Sequence, residues 1–116
     1  MNADRLVYKI CTEADWAEAQ RTGALPPSAD DRRDGFIHLS SGAQVASTAA
    51  RHFADAENLT LLAIERERIL SDLEWERSRG GDLFPHLYST LPVDAVAWAR
   101  PMPLGDDGRH RVPELA

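Results

Sequence analysis

The chain has 116 residues, of which 43% are hydrophobic and 28% are charged, and its 13 basic and 19 acidic side chains give a net charge of −6. This length and composition indicate one globular domain with a core of its own. The acidic balance argues against bulk nucleic acid as a partner, because that affinity depends largely on lysine and arginine neutralising phosphates. It leaves open a small nucleotide held by a few groups in a pocket.

Cys11 is the only cysteine, so neither an intrachain disulfide nor a four-cysteine zinc site can form. The four histidines show none of the short spacings typical of metal ligands, and we expect no metal. No apolar run approaches the roughly 20 residues that span a bilayer, and no apolar signal segment follows the N-terminus. We therefore expect a cytoplasmic protein with no membrane partner, whose oligomeric state the sequence leaves open.

The first predicted elements are a strand at residues 6–10, rich in β-formers, and the helix that follows it. Thr12 caps this helix, acidic residues occupy its first turn, and it runs to about Arg21 before Gly23 ends it. Residues 25–35 are then predicted to form a polar loop. The loop is either a solvated connection or a segment that contacts the substrate.

A second helix is predicted from about Gly42 to Phe53, with Ser40 or Ser41 as its cap. Because free backbone N–H groups gather at a helix N-terminus, this start favours an anion close to the two serines.

The second half of the chain is predicted to consist mainly of strands. Residues 59–64 form a continuous apolar run typical of a central strand. Shorter strands are predicted at residues 73–76, 87–88 and 93–99, and the proline-containing tail from Pro101 is predicted to be irregular. The pattern predicts an α+β fold with a mostly antiparallel sheet and two principal helices. We expect the chain to form a single domain over residues 1–116, with its core at about 5–103.

Two histidines lie inside short apolar runs, His38 in residues 34–41 (DGFIHLSS) and His86 in residues 84–88 (FPHLY). Histidine hydrogen-bonds, shuttles protons and binds metals near neutral pH. Hydroxyl groups flank both histidines, at Ser40, Ser41 and Tyr88. The matched contexts predict a small-molecule site, and the alternative is that both histidines only support the fold.

Glu74 and Glu76 lie two positions apart on a predicted strand. Their side chains therefore share one face of that strand, with Trp75 on the other. The pair forms either a solvated face or one wall of a cleft.

The two histidine motifs, combined with neighbouring residues, resemble a known family. The matching residues are Tyr8, Lys9, Ile10, Trp16, Gly23, Gln44, Thr48, Ala49, Phe53 and the run LEWE at 73–76. Together they resemble the family known as domain of unknown function 952, over nearly the whole chain to about Pro103. That family looks related in fold to the ADP-ribosyltransferases, which implies a split, mostly antiparallel sheet with a cleft for a nicotinamide dinucleotide.

The resemblance also implies roles for individual residues, with NAD as a co-substrate. His38 and Ser40 would bind the ribose on the nicotinamide side, and Tyr88 would stack on nicotinamide. Arg51 or Arg33 would pair with the pyrophosphate. The remaining implied positions are Ser41 for cofactor binding, His86 for catalysis, and Glu74 as a substitute catalytic acid.

Several functions follow as alternatives from these observations. One is a transferase, ADP-ribosyltransferase-like or phosphotransferase-like, that binds or cleaves NAD or an ADP-ribose-like nucleotide in a cleft lined by His38 and His86. Another is a non-catalytic module that binds a nucleotide or other small molecule. The last is an interaction module in which both histidines are structural.

Overall fold

A computed structural model of the protein describes residues 5–115. Strands occupy Leu6–Thr12 (β1), Ala24–Leu25 (β2), Ile37–His38 (β3), Leu59–Glu65 (β4), Leu73–Arg77 (β5), Leu83–Leu87 (β6), Leu91–Pro92 (β7) and Val96–Pro101 (β8). The α-helices are Glu13–Thr22 (α1), Ala29–Asp34 (α2) and Val45–His52 (α3). Short 3-10 turns lie at Gly42–Gln44, Arg66–Asp72, Arg79–Gly81 and Val93–Ala95. The fold is α+β, as predicted.

The largest sheet has the order β1-β4-β8, with both pairs antiparallel. Its central strand β4 carries the apolar run predicted to be central, and that prediction is confirmed. Core residues cover both faces of the sheet. On one face Leu62 and Ile64 pack with residues of α1, while on the other Leu61 and Ala63 pack with residues of α3. Burial on both faces explains why β4 does not alternate between apolar and polar residues.

A second three-stranded sheet has the order β3-β6-β5, again antiparallel. Its β3 is linked to β1 through Ser40 and Tyr8, whose backbone groups exchange two hydrogen bonds of 2.8 Å. A separate ribbon pairs β2 with β7. The described strands therefore pair only in antiparallel fashion, and the Tyr8–Ser40 bridge joins the two larger sheets.

Helix α1 begins and ends as predicted. The Thr12 hydroxyl accepts a hydrogen bond from the Asp15 backbone N–H at 3.0 Å, and Gly23 ends the helix with φ at 98°. That left-handed conformation favours glycine because it lacks a Cβ. The second predicted helix exists with a different start, because the 3-10 turn Gly42–Gln44 precedes α3.

The prediction of a polar loop over residues 25–35 is wrong for most of that segment, which contains helix α2. Ser28 and Asp31 form a reciprocal capping box, in which the Asp31 N–H donates to the Ser28 hydroxyl and the Ser28 N–H donates to the Asp31 carboxylate. Gly35 ends the helix with φ at 84°. These two signals outweigh the polar composition of the segment.

The tail beyond β8 is irregular, as predicted, but it packs against the core. Met102 is fully buried. Val112 and Leu115 pack against the part of the core that is formed by β1, β4 and α3. The Tyr8 hydroxyl donates to the Leu115 carbonyl at 3.0 Å. The packed structure thus extends beyond the predicted core limit of residue 103.

Candidate functional site

The sheet β3-β6-β5 has one apolar and one polar face, because side chains alternate along each strand. Ile37 and Leu87 are paired in register and lie in the core. The next pair along the same strands is His38 and His86. The backbone register therefore brings both predicted histidines together on the opposite face.

His38 lies between two carboxylates of helix α2. Its Nδ1 lies 2.7 Å from Asp31 Oδ1, and its Nε2 lies 2.8 Å from Asp34 Oδ2. The His38 backbone N–H also donates to Asp31 Oδ1 at 3.0 Å. Since ionised carboxylates only accept hydrogen bonds, each carboxylate is placed to accept from the ring nitrogen that faces it.

A buried ion pair between Lys9 and Asp31 holds the His38 contacts in place. Lys9, the only lysine of the chain, extends its Nζ to within 3.0 Å of Asp31 Oδ2 and also donates to the His38 carbonyl at 3.1 Å. Lys9 is 5% exposed and Asp31 is 3% exposed. A buried charge is costly without a partner, so this pair fixes helix α2 and strand β3 on β1.

Two opposing effects act on the pKa of Asp31. Burial alone raises the pKa of this carboxyl, but the hydrogen bond from His38 and the charge of Lys9 outweigh burial and hold the pKa well below its usual range. The pKa of Asp34 is lowered to about 2, mainly by the hydrogen bond from Arg33 and further by that from His38. Both aspartates are therefore anions at neutral pH.

His86 forms a second histidine–carboxylate pair. Its Nδ1 lies 2.7 Å from Glu76 Oε1, and the Tyr88 hydroxyl donates to the same oxygen at 2.6 Å. These two hydrogen bonds, that of Tyr88 first, lower the pKa of Glu76. Among the described residues none hydrogen-bonds to His86 Nε2. A carboxylate that fixes one nitrogen leaves the other free to exchange a proton with a ligand.

Phe36 packs against both histidine rings. Its ring stacks on that of His86 at 3.9 Å between centroids with planes 21° apart, and its centroid lies 4.6 Å from that of His38. This packing limits ring rotation, so both imidazoles are held in fixed orientations.

His38 and His86 line an open cleft of about 230 Å³. The walls are the two helices that flank β3: α2 contributes Arg33 and Asp34, and α3 contributes Thr48 and Arg51. The remaining lining comes from strands and from the 78–82 segment, including His38, Ser40, Phe84, His86, Ser78 and Asp82. The cleft therefore combines cationic, anionic and hydroxyl groups.

The residues predicted from sequence fall into two groups. His38, Ser40, Arg51 and His86 all line the cleft. The Ser40 hydroxyl lies 3.1 Å from that of Thr48, which ties β3 to α3.

The other predicted residues do not line it. Ser41 lies at the start of the Gly42–Gln44 turn, where its N–H donates to the Gln44 side chain at 3.0 Å. Tyr88 is 47% exposed and reaches the site through Glu76 and through Phe36, whose ring centroid lies 5.4 Å from its own. Glu74 is exposed and faces His86 across the strand pair, but Glu76 makes the contact to the imidazole.

Several residues of the site were not assigned to it from sequence. They are Lys9, Asp31, Asp34, Phe36, Thr48 and Glu76. Two of them had a usable signal: a single lysine interrupts the otherwise apolar strand β1, and Asp31 stands three residues after Ser28 in a capping pattern. A lysine inside an apolar strand predicts a buried anionic partner, because an unpaired charge there is too costly.

Over residues 5–115, no group of three or more histidine, cysteine or acidic side chains is arranged to hold a metal ion. No helix of the same range is long and apolar enough to span a membrane.

Comparisons with known proteins place this chain within a family. The protein CC0527 from Caulobacter crescentus is 48% identical; its crystal structure superposes with a TM-score of 0.86, covering 90% of this chain and 92% of that one. Its solution NMR structure gives a TM-score of 0.81, covering 90% of each chain. No curated protein matches the chain. The family described as "Protein of unknown function (DUF952)" matches residues 10–99, and the chain belongs to this family.

Proposed function

We propose that the cleft binds an ADP-ribose-like nucleotide, with NAD as the first candidate. The observation that supports this most is the convergence of two oriented histidines with arginines on both walls, Arg33 on α2 and Arg51 on α3. Histidine and serine side chains suit ribose hydroxyls, while arginine suits the phosphate oxygens of a dinucleotide. The resemblance to the ADP-ribosyltransferases points to the same ligand class.

The size of the cleft suits part of a dinucleotide. Typical ligand pockets measure about 300–1,000 Å³, and this cleft of about 230 Å³ lies just below that range. A ribose with its attached base would occupy the cleft, while the diphosphate would extend along an arginine-bearing wall. His38 and Ser40 would contact the ribose, and Arg51 would contact the phosphates.

A catalytic version of this function uses His86. Cleavage would break the bond between the ribose C1′ and the nicotinamide nitrogen through a cationic, oxocarbenium-like ribose. Nicotinamide would leave with the bonding electron pair. Water, or the hydroxyl of an acceptor, would form the new bond at C1′, and His86 Nε2 would accept the proton that it loses. Glu76 would hold His86 in the required tautomer.

Binding is tested by thermal-shift and calorimetric titration with NAD, ADP-ribose and a 2′-phosphorylated nucleotide. A ligand of the native state raises stability by about 2.7 kcal/mol at a hundredfold excess over its Kd. We expect a shift for wild type, and a smaller one for Arg51→Ala. Arg21→Ala serves as the control, because Arg21 is exposed and does not line the cleft. The absence of a shift with all three ligands, or equal losses in both variants, would contradict the proposal.

A second candidate, a module that binds without turnover, is favoured by one observation. His86 is only 5% exposed and lies under the Phe36 ring, and this limits its access to a reacting atom. Nicotinamide release from NAD decides between the two. Release that disappears in His86→Asn supports the enzyme, whereas ligand binding without release supports the binding module.

A further inference from the structure

The carboxylate of Asp34 is held by the side chains of His38 and Arg33 at the mouth of the cleft. His38 Nε2 lies 2.8 Å from Asp34 Oδ2. Arg33 donates from Nε to Asp34 Oδ1 at 2.9 Å and from Nη2 to Asp34 Oδ2 at 3.2 Å. Both carboxylate oxygens are thus engaged by a guanidinium fork and an imidazole, which is how proteins bind phosphate and carboxylate ligands.

The other two carboxylates of α2 keep their own cationic partners when the Asp34 carboxylate turns away. Asp31 is compensated by the buried ammonium of Lys9. Asp30 contacts only the Nη1 side of the Arg33 guanidinium, at 3.1 Å. Asp34 is therefore the carboxylate that neutralises the edge of Arg33 facing His38.

Of the two carboxylates that contact His38, Asp34 is the one more able to leave. It is the last residue of α2, directly before Gly35, and its side chain is 32% exposed. Asp31, in contrast, is buried and fixed by the capping box and by Lys9. A rotation of the Asp34 side chain would free His38 Nε2 without disturbing the Asp31 contacts.

We propose that His38 and Arg33 form an oxyanion site for a phosphate or carboxylate group, and that Asp34 occupies it as an internal competitor which the ligand displaces. This inference goes beyond the proposed function: it applies to phosphate and carboxylate ligands in general, it gives His38 Nε2 to the anion and not to a ribose hydroxyl, and it adds how access to His38 is controlled. The displaced carboxylate turns to solvent. The ligand oxygens take over its hydrogen bonds from His38 Nε2 and Arg33.

Competition of this kind has a measurable consequence. A ligand that binds only a minor state is weakened by the fraction of protein in that state. Minor states are commonly populated at about 0.1–10%. Removing Asp34 should therefore tighten anion binding about tenfold or more.

The experiment titrates Asp34→Ala and Asp30→Ala with inorganic phosphate and, separately, with acetate, following the side-chain NMR signals of His38 and Arg33. The two variants form a matched pair, because each removes one negative charge of α2 that contacts Arg33, while only Asp34 touches His38. We expect Asp34→Ala to bind phosphate at least about tenfold more tightly than Asp30→Ala. Adding Arg33→Ala should abolish the gain. A stronger gain with acetate than with phosphate would assign the site to a carboxylate ligand.

Equal affinity of the two variants, or a gain that persists without Arg33, would overturn the inference. If Asp34→Ala does not fold, Asp34→Asn and Asp30→Asn provide the same comparison with side chains of unchanged size. The outcome is separable from the proposed function, since phosphate and acetate are not nucleotides. Tighter phosphate binding by Asp34→Ala without any ADP-ribose binding would support the oxyanion site and contradict the nucleotide proposal. ADP-ribose binding without tighter phosphate binding would contradict only the role of Asp34 as an internal competitor.

Discussion

His38 and His86 lie directly opposite each other in the antiparallel pair β3–β6, with their ring centroids 5.8 Å apart and their planes at 66°. Each ring is oriented by carboxylates from a different element, α2 for His38 and β5 for His86. A change in either carboxylate therefore alters one histidine while the backbone register keeps the other in place.

Replacing Lys9 with methionine should destabilise the protein strongly. The variant leaves the Asp31 carboxylate buried without its ammonium partner, and breaking a buried ion pair costs about 3–5 kcal/mol. Urea-induced unfolding at neutral pH measures the loss in the free energy of unfolding. Arg21→Met is the control, because Arg21 forms a solvent-exposed pair with Glu18, and exposed pairs contribute little. Similar losses in the two variants would show that the Lys9 pair does not hold α2 in place.

Acidification should weaken the fold through Asp31. The pKa of this carboxyl is lower in the folded chain than in the unfolded one, so the unfolded state takes up its proton first. The stabilisation is complete above the unfolded value of about 3.9 and is lost as the pH falls from there toward the folded pKa. The difference in unfolding free energy between wild type and Asp31→Asn should thus be constant from pH 7 to about 5 and should narrow below about pH 4. A difference in unfolding free energy that stays constant down to about pH 2 would show that Asp31 does not weaken the fold on acidification.

Cys11 should react with thiol reagents only when the protein opens. Burial raises the pKa of this thiol to about 12, against the smaller lowering effect of Lys9, and the thiolate is the reactive form. We expect alkylation at pH 8 to be slow for the native protein and fast in denaturant, as followed by mass spectrometry. Rapid alkylation of the native protein would mean that strand β1 is accessible.

Much of the fold could be predicted from local sequence. Strand β1, helix α1 with its Thr12 and Gly23 ends, and the apolar strand β4 all have periodicity or capping signals within a few residues. Helix α2 was missed because a six-residue helix offers little apolar periodicity, so its caps were the only signal.

The site was predictable only in part, since it depends on contacts between distant segments. His38 and His86 were recognisable from their short apolar contexts, but their pairing depends on the register of β3 with β6. Lys9 and Asp31 are 22 positions apart in sequence, so the lysine inside β1 indicates a buried anionic partner without identifying which residue it is. Glu74 was the carboxylate chosen from sequence for catalysis, whereas the diagonal geometry across β5 and β6 places Glu76 on His86.

Replacing Glu76 with glutamine should lower the pKa of Tyr88. The hydrogen bond from the Tyr88 hydroxyl to Glu76, with smaller effects of burial and of the Glu76 and Glu74 charges, raises the pKa of this phenol above its usual 10.0. Ultraviolet titration in a Tyr8→Phe background follows Tyr88 alone, because Tyr8 and Tyr88 are the two tyrosines. We expect Glu76→Gln to return the pKa toward 10.0. Glu74→Gln, which removes the same charge from the same face of β5, should shift it much less. Equal shifts in the two variants would mean that the negative charge alone, and not the hydrogen bond to Glu76, raises the pKa of Tyr88.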